Sequence, residues 1–195
     1  MAGRRTAAGL VLATVALTAG GCGLGGGTKT VTVTHTHTVT TTRTVTSKSA
    51  TSAPPCTGAE LAGTFVLVPG SAGAGQIEYA LTLTNSSHSR CSLHGIPEGT
   101  LLGASGAALP THITTAGDGG TGRVVLEPGA SAVAHARFSP DVAGQGDSQS
   151  GECQPQAQTL QVSPNGGGVT DASIKPPTSV CQQGSLHFEA FGYAG

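Results

Sequence analysis

The stretch I-E-Y-A-L-T-L-T-N, from Ile77 to Asn85, decides the fold. Its large apolar side chains occupy every second position: Ile77, Tyr79, Leu81 and Leu83. Polar or small residues fill the positions between them. Because successive side chains of a strand point to opposite faces, this period of two predicts a strand with one buried face.

Other short segments on either side of this strand share its character. Strands are predicted at 61–68, 101–102 with its flanks, 123–126, 132–138, 159–163 and 185–191. Turn residues separate them at 85–87, 127–129 and 165–166, and no stretch has the spacing of an amphipathic helix. Six to eight short strands joined in this way predict an all-β domain, an immunoglobulin-like antiparallel β-sandwich.

Four cysteines lie in the same part of the chain, namely Cys56, Cys91, Cys153 and Cys181. Four cysteines allow three pairings. The first two bracket strand-like runs around the glycine-rich turn at 69–75, and the last two bracket the turn at 164–168. Folding each bracketed segment as a hairpin brings its ends together, which predicts the disulfides Cys56–Cys91 and Cys153–Cys181. The chain has no tryptophan and many alanines, so the core is small and the bridges matter for stability.

A fifth cysteine, Cys22, follows an apolar run near the start of the chain. Arg4 and Arg5 precede the run 7–19, and small residues lead up to the cysteine, as in a secretory signal peptide. The run is too short for a membrane span, which needs about 20 apolar residues. The string L-T-A-G-G-C resembles the lipobox of bacterial lipoproteins, with Ala19 where leucine is usual. We therefore expect residues 1–21 to be a lipoprotein signal peptide and Cys22 to carry acyl chains such as palmitate. The alternative is ordinary secretion, with an incidental cysteine near the cleavage site.

Residues 22–55 have a different composition from the rest. They contain no aromatic residue and no acid, and threonine is dense between 28 and 51. Their few valines cannot form a core that offsets the entropy of ordering the chain, and a lone strand here would have no partner. The segment is predicted to be a disordered, flexible linker. It joins the anchor at Cys22 to one domain, residues 56–195.

Two segments of that domain suggest a family. The string L-T-L-T-N-S-S-H-S-R-C-S-L-H-G-I-P (81–97), the string V-V-L-E-P-G-A-S-A (124–132) and the late Cys153 and Cys181 resemble the actinobacterial domain of unknown function 4232. The resemblance covers nearly all of residues 56–195. It implies a secreted or lipid-anchored β-sandwich protein and implies no activity. Turn geometry is the role expected for five residues in these strings: Asn85, Gly95, Pro97, Pro128 and Gly129.

Catalytic and cofactor motifs are missing from the sequence. It holds no G-x-S-x-G elbow, no H-E-x-x-H and no phosphate loop with its lysine. Zinc is disfavoured because no C-x-x-C pair occurs, and copper because the one methionine is Met1. We therefore predict no enzyme activity, no cofactor and no metal site.

Charge restricts the partners. Residues 56–195 hold ten acids against four Lys and Arg residues, a net charge of −6. Nucleic acid is therefore excluded as an expected partner. The leading hypothesis is a non-enzymatic protein, held by lipid on Cys22 to the outer face of the cell membrane, that binds an envelope protein or a wall component. The alternative is a hydrolase or small-ligand receptor whose site is assembled from distant residues such as His94, His135 and His187.

Overall fold

The computed structural model describes residues 29–35, 39–45, 53–117, 120 and 122–194. The predicted signal peptide and Cys22 lie outside these residues. The strands are β1 (Lys29–His35), β2 (Val39–Val45), β3 (Leu61–Leu67), β4 (Ile77–Asn85), β5 (Cys91–His94), β6 (Gly99–Leu102), β7 (His112–Thr115), β8 (Arg123–Leu126), β9 (Ser131–Phe138), β10 (Ala157–Val162), β11 (Thr170–Thr178), β12 (Ser185–Phe188) and β13 (Gly192–Tyr193). A 3₁₀ turn, Gly58–Glu60, and a helical turn α1, Cys181–Gly184, complete the elements. Within the described residues, no helix is long and apolar enough to cross a bilayer.

The chain divides into two units, Met1–Thr51 and Ser52–Gly195. In the first unit, β1 and β2 pair as an antiparallel hairpin, with Lys29 opposite Val45 and His35 opposite Val39. The prediction that a strand here would lack a partner is therefore wrong for these residues. Both halves of the segment carry the same threonine-rich alternation, so each half supplies the partner of the other. A two-stranded hairpin alone is only marginally stable in water.

In the second unit, nine of the described strands form one sheet. Its order is β6-β10-β11-β3-β4-β9-β12-β7, and β13 also pairs with β9. The β11–β3 and β12–β7 pairs are parallel and the others are antiparallel. The sheet is therefore mixed, and the prediction of a purely antiparallel arrangement is wrong. Alternation along a strand shows which face is buried and carries no information on which remote segment becomes its neighbour.

This sheet is strongly curled. Phe65 of β3 and Phe188 of β12 are three strand spacings apart, which is about 14 Å in a flat sheet, yet their ring centroids lie 5.8 Å apart. The two ends of the sheet also meet. Leu101 of β6 donates its N–H to Thr111 Oγ1 (2.9 Å) and accepts the N–H of Leu109 (2.8 Å). Thr111 directly precedes β7, so the sheet is nearly closed around its core.

The core confirms the burial predicted for β4. Tyr79, Leu81 and Leu83 are at most 1% exposed. The facing positions on β9 are small, since these three residues pair in register with Ala136, Ala134 and Ala132. Phe65, Tyr79 and Phe138 pack together, with ring centroids 5.2 to 6.5 Å apart. The alanines of β9 thus leave room for aromatic side chains to fill the interior.

Both predicted disulfides are present. Cys56 and Cys91 are bonded with Cα atoms 4.8 Å apart, and Cys153 and Cys181 with Cα atoms 5.5 Å apart. The first pair flanks the β3–β4 hairpin and the second flanks the β10–β11 hairpin. The prediction is confirmed for the reason given, because each hairpin returns its own ends to one place.

The folded unit has two distinct ends. At the proximal end, defined by residues 53–60 and the turns 85–89, 127–130 and 163–168, the chain enters the domain. Gly166 donates to the Cys56 carbonyl and Gly58 donates to the Gly167 carbonyl, both at 2.9 Å. Ser86 donates to the Glu60 carbonyl at 2.8 Å.

At the distal end lie the segments 68–76, 139–156 and 177–184. The strand β11 connects the two ends. Its first residue, Thr170, donates its hydroxyl to the Leu61 carbonyl (2.9 Å) at the proximal end, and its last residue is Thr178. On the neighbouring strand β10, Val162 lies opposite Thr170 and Ala157 lies opposite Thr178, because β11 bulges between Ser173 and Thr178. These five residue steps of β10 span roughly 17 Å. The distal end is therefore about that far from the point where the chain enters.

Candidate functional site

The residues that carry the family resemblance build turns at the proximal end. Asn85 is fully buried, and its Nδ2 donates to the carbonyls of Ser89 (2.8 Å) and Leu126 (3.0 Å). Its Oδ1 accepts the N–H and the hydroxyl of Ser87. Gly129 donates its N–H to the Asn85 carbonyl at 2.8 Å. The hydrogen bonds of Asn85 therefore join the two strings that carry the family resemblance, 81–97 and 124–132.

The turn after β8 shows the same role. Ala130 donates its N–H to the Glu127 carbonyl at 2.9 Å, with Pro128 and Gly129 between them. Gly129 has φ 81° and Gly95 has φ 72°, conformations that favour glycine. A proline followed by a positive-φ glycine is the signature of a type II turn. The turn-geometry role is confirmed for Gly95, Pro128 and Gly129.

The three histidines predicted for an alternative site separate into two groups. His135 on β9 and His187 on β12 project from neighbouring strands on the outer face of the sheet. His135 Nδ1 lies 2.7 Å from Glu78 Oε1, and Arg137 Nη2 lies 3.0 Å from Glu78 Oε2. His94 belongs instead to the small β5–β8 sheet, where its N–H donates to Asn165 Oδ1 at 3.2 Å. The structure therefore does not bring all three onto one strand pair.

The outer face carries an ordered polar row. Register places Glu78, Arg137, His187 and Thr114 side by side across four strands. Thr114 Oγ1 and His187 Nδ1 share a hydrogen bond of 2.8 Å. The side chain of Arg137 is 54% exposed and that of His135 is 36% exposed. Ion pairs this exposed contribute about 0 to 1 kcal/mol to stability. The charged groups beside and within this row are therefore partly open to solvent.

The distal end contains a cleft of about 450 Å³. Its lining includes Pro140, Asp141, Glu152, Cys153, Pro177 and Ser179. Three separate segments contribute, one after β9, one before β10 and one at the end of β11. The cleft is open to solvent, and its lining is more polar than apolar. None of the histidines considered above lines it.

Asp147 organises the loop around this cleft. Its carboxylate accepts the N–H of Gly144 (2.8 Å), Gln182 (2.5 Å) and Gln183 (3.0 Å) and the side-chain amides of Gln154 (2.6 Å) and Gln183 (3.0 Å). Gln182 and Gln183 have φ of 56° and 58°, so their amides converge on the anion as a backbone nest. These hydrogen bonds, first of all that from Gly144, hold the pKa of Asp147 well below its usual range. Groups of the protein itself therefore satisfy the hydrogen-bonding capacity of the Asp147 carboxylate.

One group of three candidate metal ligands occurs among the described residues: Asp147, Cys153 and Cys181, with ligand atoms within 4.8 Å. Both cysteines are bonded to each other, and Asp147 is held by five donors. The disulfide and the Asp147 carboxylate therefore hold the loop 139–156 against α1, and they are not arranged as free metal ligands.

Sequence reasoning missed the cleft. The available signal was the loop 139–156, which holds three acids and no Lys, Arg or His. Its position was hidden because the other walls come from β11, a strand that the periodicity did not reveal. The acidic residues that line the cleft are Asp141 and Glu152, both exposed.

Comparison with known proteins identifies the family. The family described as Domain of unknown function (DUF4232) matches residues 56–192, most of the chain and nearly all of the folded unit. No curated protein and no solved structure matches the chain. The match spans both disulfides and both turn strings on which the resemblance was based. The chain therefore belongs to the DUF4232 family.

Proposed function

We propose that this protein is a non-catalytic binding module, held by lipid on Cys22 to the outer face of the cell membrane. The two disulfides support an extracytoplasmic site, because such bonds form and persist in oxidising compartments. Pairing the other four cysteines leaves Cys22 for acylation, behind an apolar run of signal-peptide type. Residues 22–55 then act as the spacer between lipid and domain.

The observation that carries the binding role is the position of the cleft. The chain enters the domain at the proximal end, and the cleft lies at the distal end, roughly 17 Å away along the β10–β11 pair. A domain anchored through residue 53 keeps its distal loops free for another envelope protein or a wall component.

For the fold, our proposal is that the two halves of the curled sheet face each other and, with the β5–β8 pair, form an immunoglobulin-like sandwich. The 5.8 Å contact between Phe65 and Phe188 supports two facing layers with a shared interior. The two parallel strand pairs then mark a variant of the usual antiparallel pattern.

Anchoring is tested in cells fed an alkyne analogue of palmitate. Wild-type protein is expected to carry the label and to sediment with membranes, whereas Cys22→Ala is expected to lose both properties. Thr28→Ala, a change nearby that leaves L-T-A-G-G-C intact, is the matched control and keeps the label. Label retained by Cys22→Ala, or absent from the wild type, contradicts the proposal.

One observation favours the hydrolase alternative. The 2.8 Å contact of Thr114 with His187 has the form of a hydroxyl nucleophile beside a base. We expect p-nitrophenyl acetate hydrolysis by the wild type to equal that of Thr114→Val and His187→Gln. A saturable activity that both substitutions abolish makes the protein a hydrolase and replaces the binding role.

A further inference from the structure

We propose that the distal cleft binds a lysine or arginine side chain from an extended basic segment of a partner protein. This inference rests on the proposed function and specifies its partner by charge. It assigns to Asp141 and Glu152 the recognition of the cation.

The first argument is electrostatic. Asp141 and Glu152 are exposed and line the cleft from the two ends of one loop. That loop, 139–156, contains no base, and the whole domain carries a net charge of −6. Gln156 Nε2 donates to Glu152 Oε1 at 2.8 Å and so holds this carboxylate at the cleft. A cationic ligand is attracted to such a surface and an anionic one is repelled.

The second argument is the apolar part of the lining. Pro140 and Pro177 line the cleft. Lysine and arginine bury their methylene stems against apolar surface while their charged heads reach a polar group. Proline walls beside two carboxylates suit both parts of such a side chain.

The third argument is that the loop is already ordered. The Cys153–Cys181 bond joins it to the end of β11, and Asp147 holds it to the backbone of Gln182 and Gln183. A loop fixed before binding loses little conformational entropy when a ligand arrives. The cleft is therefore suited to recognise a peptide without first folding around it.

A bare metal ion fits this cleft less well than an organic cation. Calcium takes six to eight oxygen ligands and magnesium six. Among the described residues, Asp141 and Glu152 belong to no group of three candidate ligands. An ammonium or guanidinium group needs no such ligand set, because a single carboxylate can accept its charge-assisted hydrogen bonds.

The test measures binding of fluorescein-labelled tetralysine by fluorescence anisotropy. The protein is the chain from residue 22 onward with Cys22→Ala, so that no lipid is present. The cleft variant is Asp141→Asn with Glu152→Gln. The control variant, Glu127→Gln with Asp171→Asn, removes the same charge from exposed positions at the proximal end. Intact mass and far-UV circular dichroism confirm that each variant keeps two disulfides and its fold.

We expect saturable binding that the cleft variant weakens about tenfold and the control variant less than twofold. Binding should also weaken as salt is raised. An equal loss in both variants would show unspecific attraction to an acidic protein and overturn the proposal. No saturable binding at millimolar peptide would overturn it as well. Either failure leaves the palmitate-label test of Cys22 unaffected, so anchoring and recognition are judged separately.

Discussion

The proximal and distal ends of the domain are held together in different ways. Proximal turns are fixed by a buried side chain, Asn85, whose amide bonds to backbone groups of the turn 85–89 and of β8. The distal loop is fixed by a charged side chain, Asp147, which gathers five donors beside a disulfide. The strings on which the family resemblance was based lie mainly in the core and at the proximal end. The comparison shows that a buried amide and a carboxylate each hold a loop region through hydrogen bonds to the backbone, the carboxylate with a disulfide beside it.

The largest effect is expected in the core that both ends share. Phe65 is fully buried and contacts three other aromatic rings. Phe65→Ala should lower the free energy of unfolding by about 3 to 5 kcal/mol. Val66→Ala, on the other face of the same strand and 40% exposed, should change it by less than about 0.5 kcal/mol. Urea denaturation measures both, and equal losses would contradict the assignment of faces on β3.

The two disulfides allow the stability contributed at each end to be compared, since Cys56–Cys91 lies at the proximal end and Cys153–Cys181 at the distal end. They close loops of similar length, with sequence separations of 35 and 28. The chain-entropy relation gives roughly 3.5 to 4 kcal/mol for each. Replacing either pair by alanine should cost a similar amount of unfolding free energy in urea.

Binding then separates the two bridges. With both double variants kept at a temperature where they remain folded, only Cys153→Ala with Cys181→Ala should weaken tetralysine binding. If the Cys56→Ala with Cys91→Ala variant loses binding equally, the cleft is not a local property of the distal end.

At the proximal end, Asn85→Ala removes the hydrogen-bond partner of the buried Leu126 carbonyl, and also that of the Ser89 carbonyl and of the Ser87 amide. Leaving buried polar groups unsatisfied should cost about 1 to 3 kcal/mol. Ser86→Ala is the neighbouring control, since its hydroxyl bond to the Glu60 carbonyl is exposed. Thermal unfolding distinguishes them, and an effect of Asn85→Ala no larger than that of Ser86→Ala would contradict the account of this turn.

At the distal end, the smallest and most local effect is expected for Asp147→Asn. The pKa of Asp147 is lowered in the folded state, so its charge stabilises the fold above the usual aspartate range and this contribution is lost as pH falls. The stability difference between wild type and variant should therefore be full near pH 7 and shrink below about pH 4.

Amide hydrogen exchange measures the effect of Asp147→Asn at individual residues of the distal end. The amides of Gln182 and Gln183 donate to Asp147 and should exchange faster in Asp147→Asn. Asp141→Asn, an exposed acid in the same loop, should leave them unchanged. Equal exchange in Asp147→Asn and wild type would show that the carboxylate does not fix this loop.

Much of the scaffold could be predicted because it follows local rules. The alternation of apolar residues in β4 predicted its buried face. Both disulfides were predicted because each hairpin brings its own two ends together. β11 could not be found in this way, because Pro176 and Pro177 interrupt its end and proline lacks the N–H that a strand ladder needs. Its parallel pairing with β3 joins segments more than 100 residues apart, which no local pattern encodes.

The candidate site was harder to predict than the fold. Asp141, Glu152 and Pro177 lie on three segments that meet only after β9, β10 and β11 are in place. Three histidines were predicted to form an alternative site because of their chemistry. The structure places His135 on the open outer face and His94 on a different sheet. Charge composition of the loop 139–156 was the one readable signal, and it does not show that a cleft exists.

The most direct test places a photo-crosslinking amino acid at two matched positions in the anchored protein in cells. Val142 at the distal end is 49% exposed and Val169 at the proximal end is 51% exposed. The account predicts crosslinks from position 142 to a lysine- or arginine-rich segment of one partner, and none from position 169. Crosslinks to that partner from position 169 alone would contradict the claim that the distal end is the binding surface.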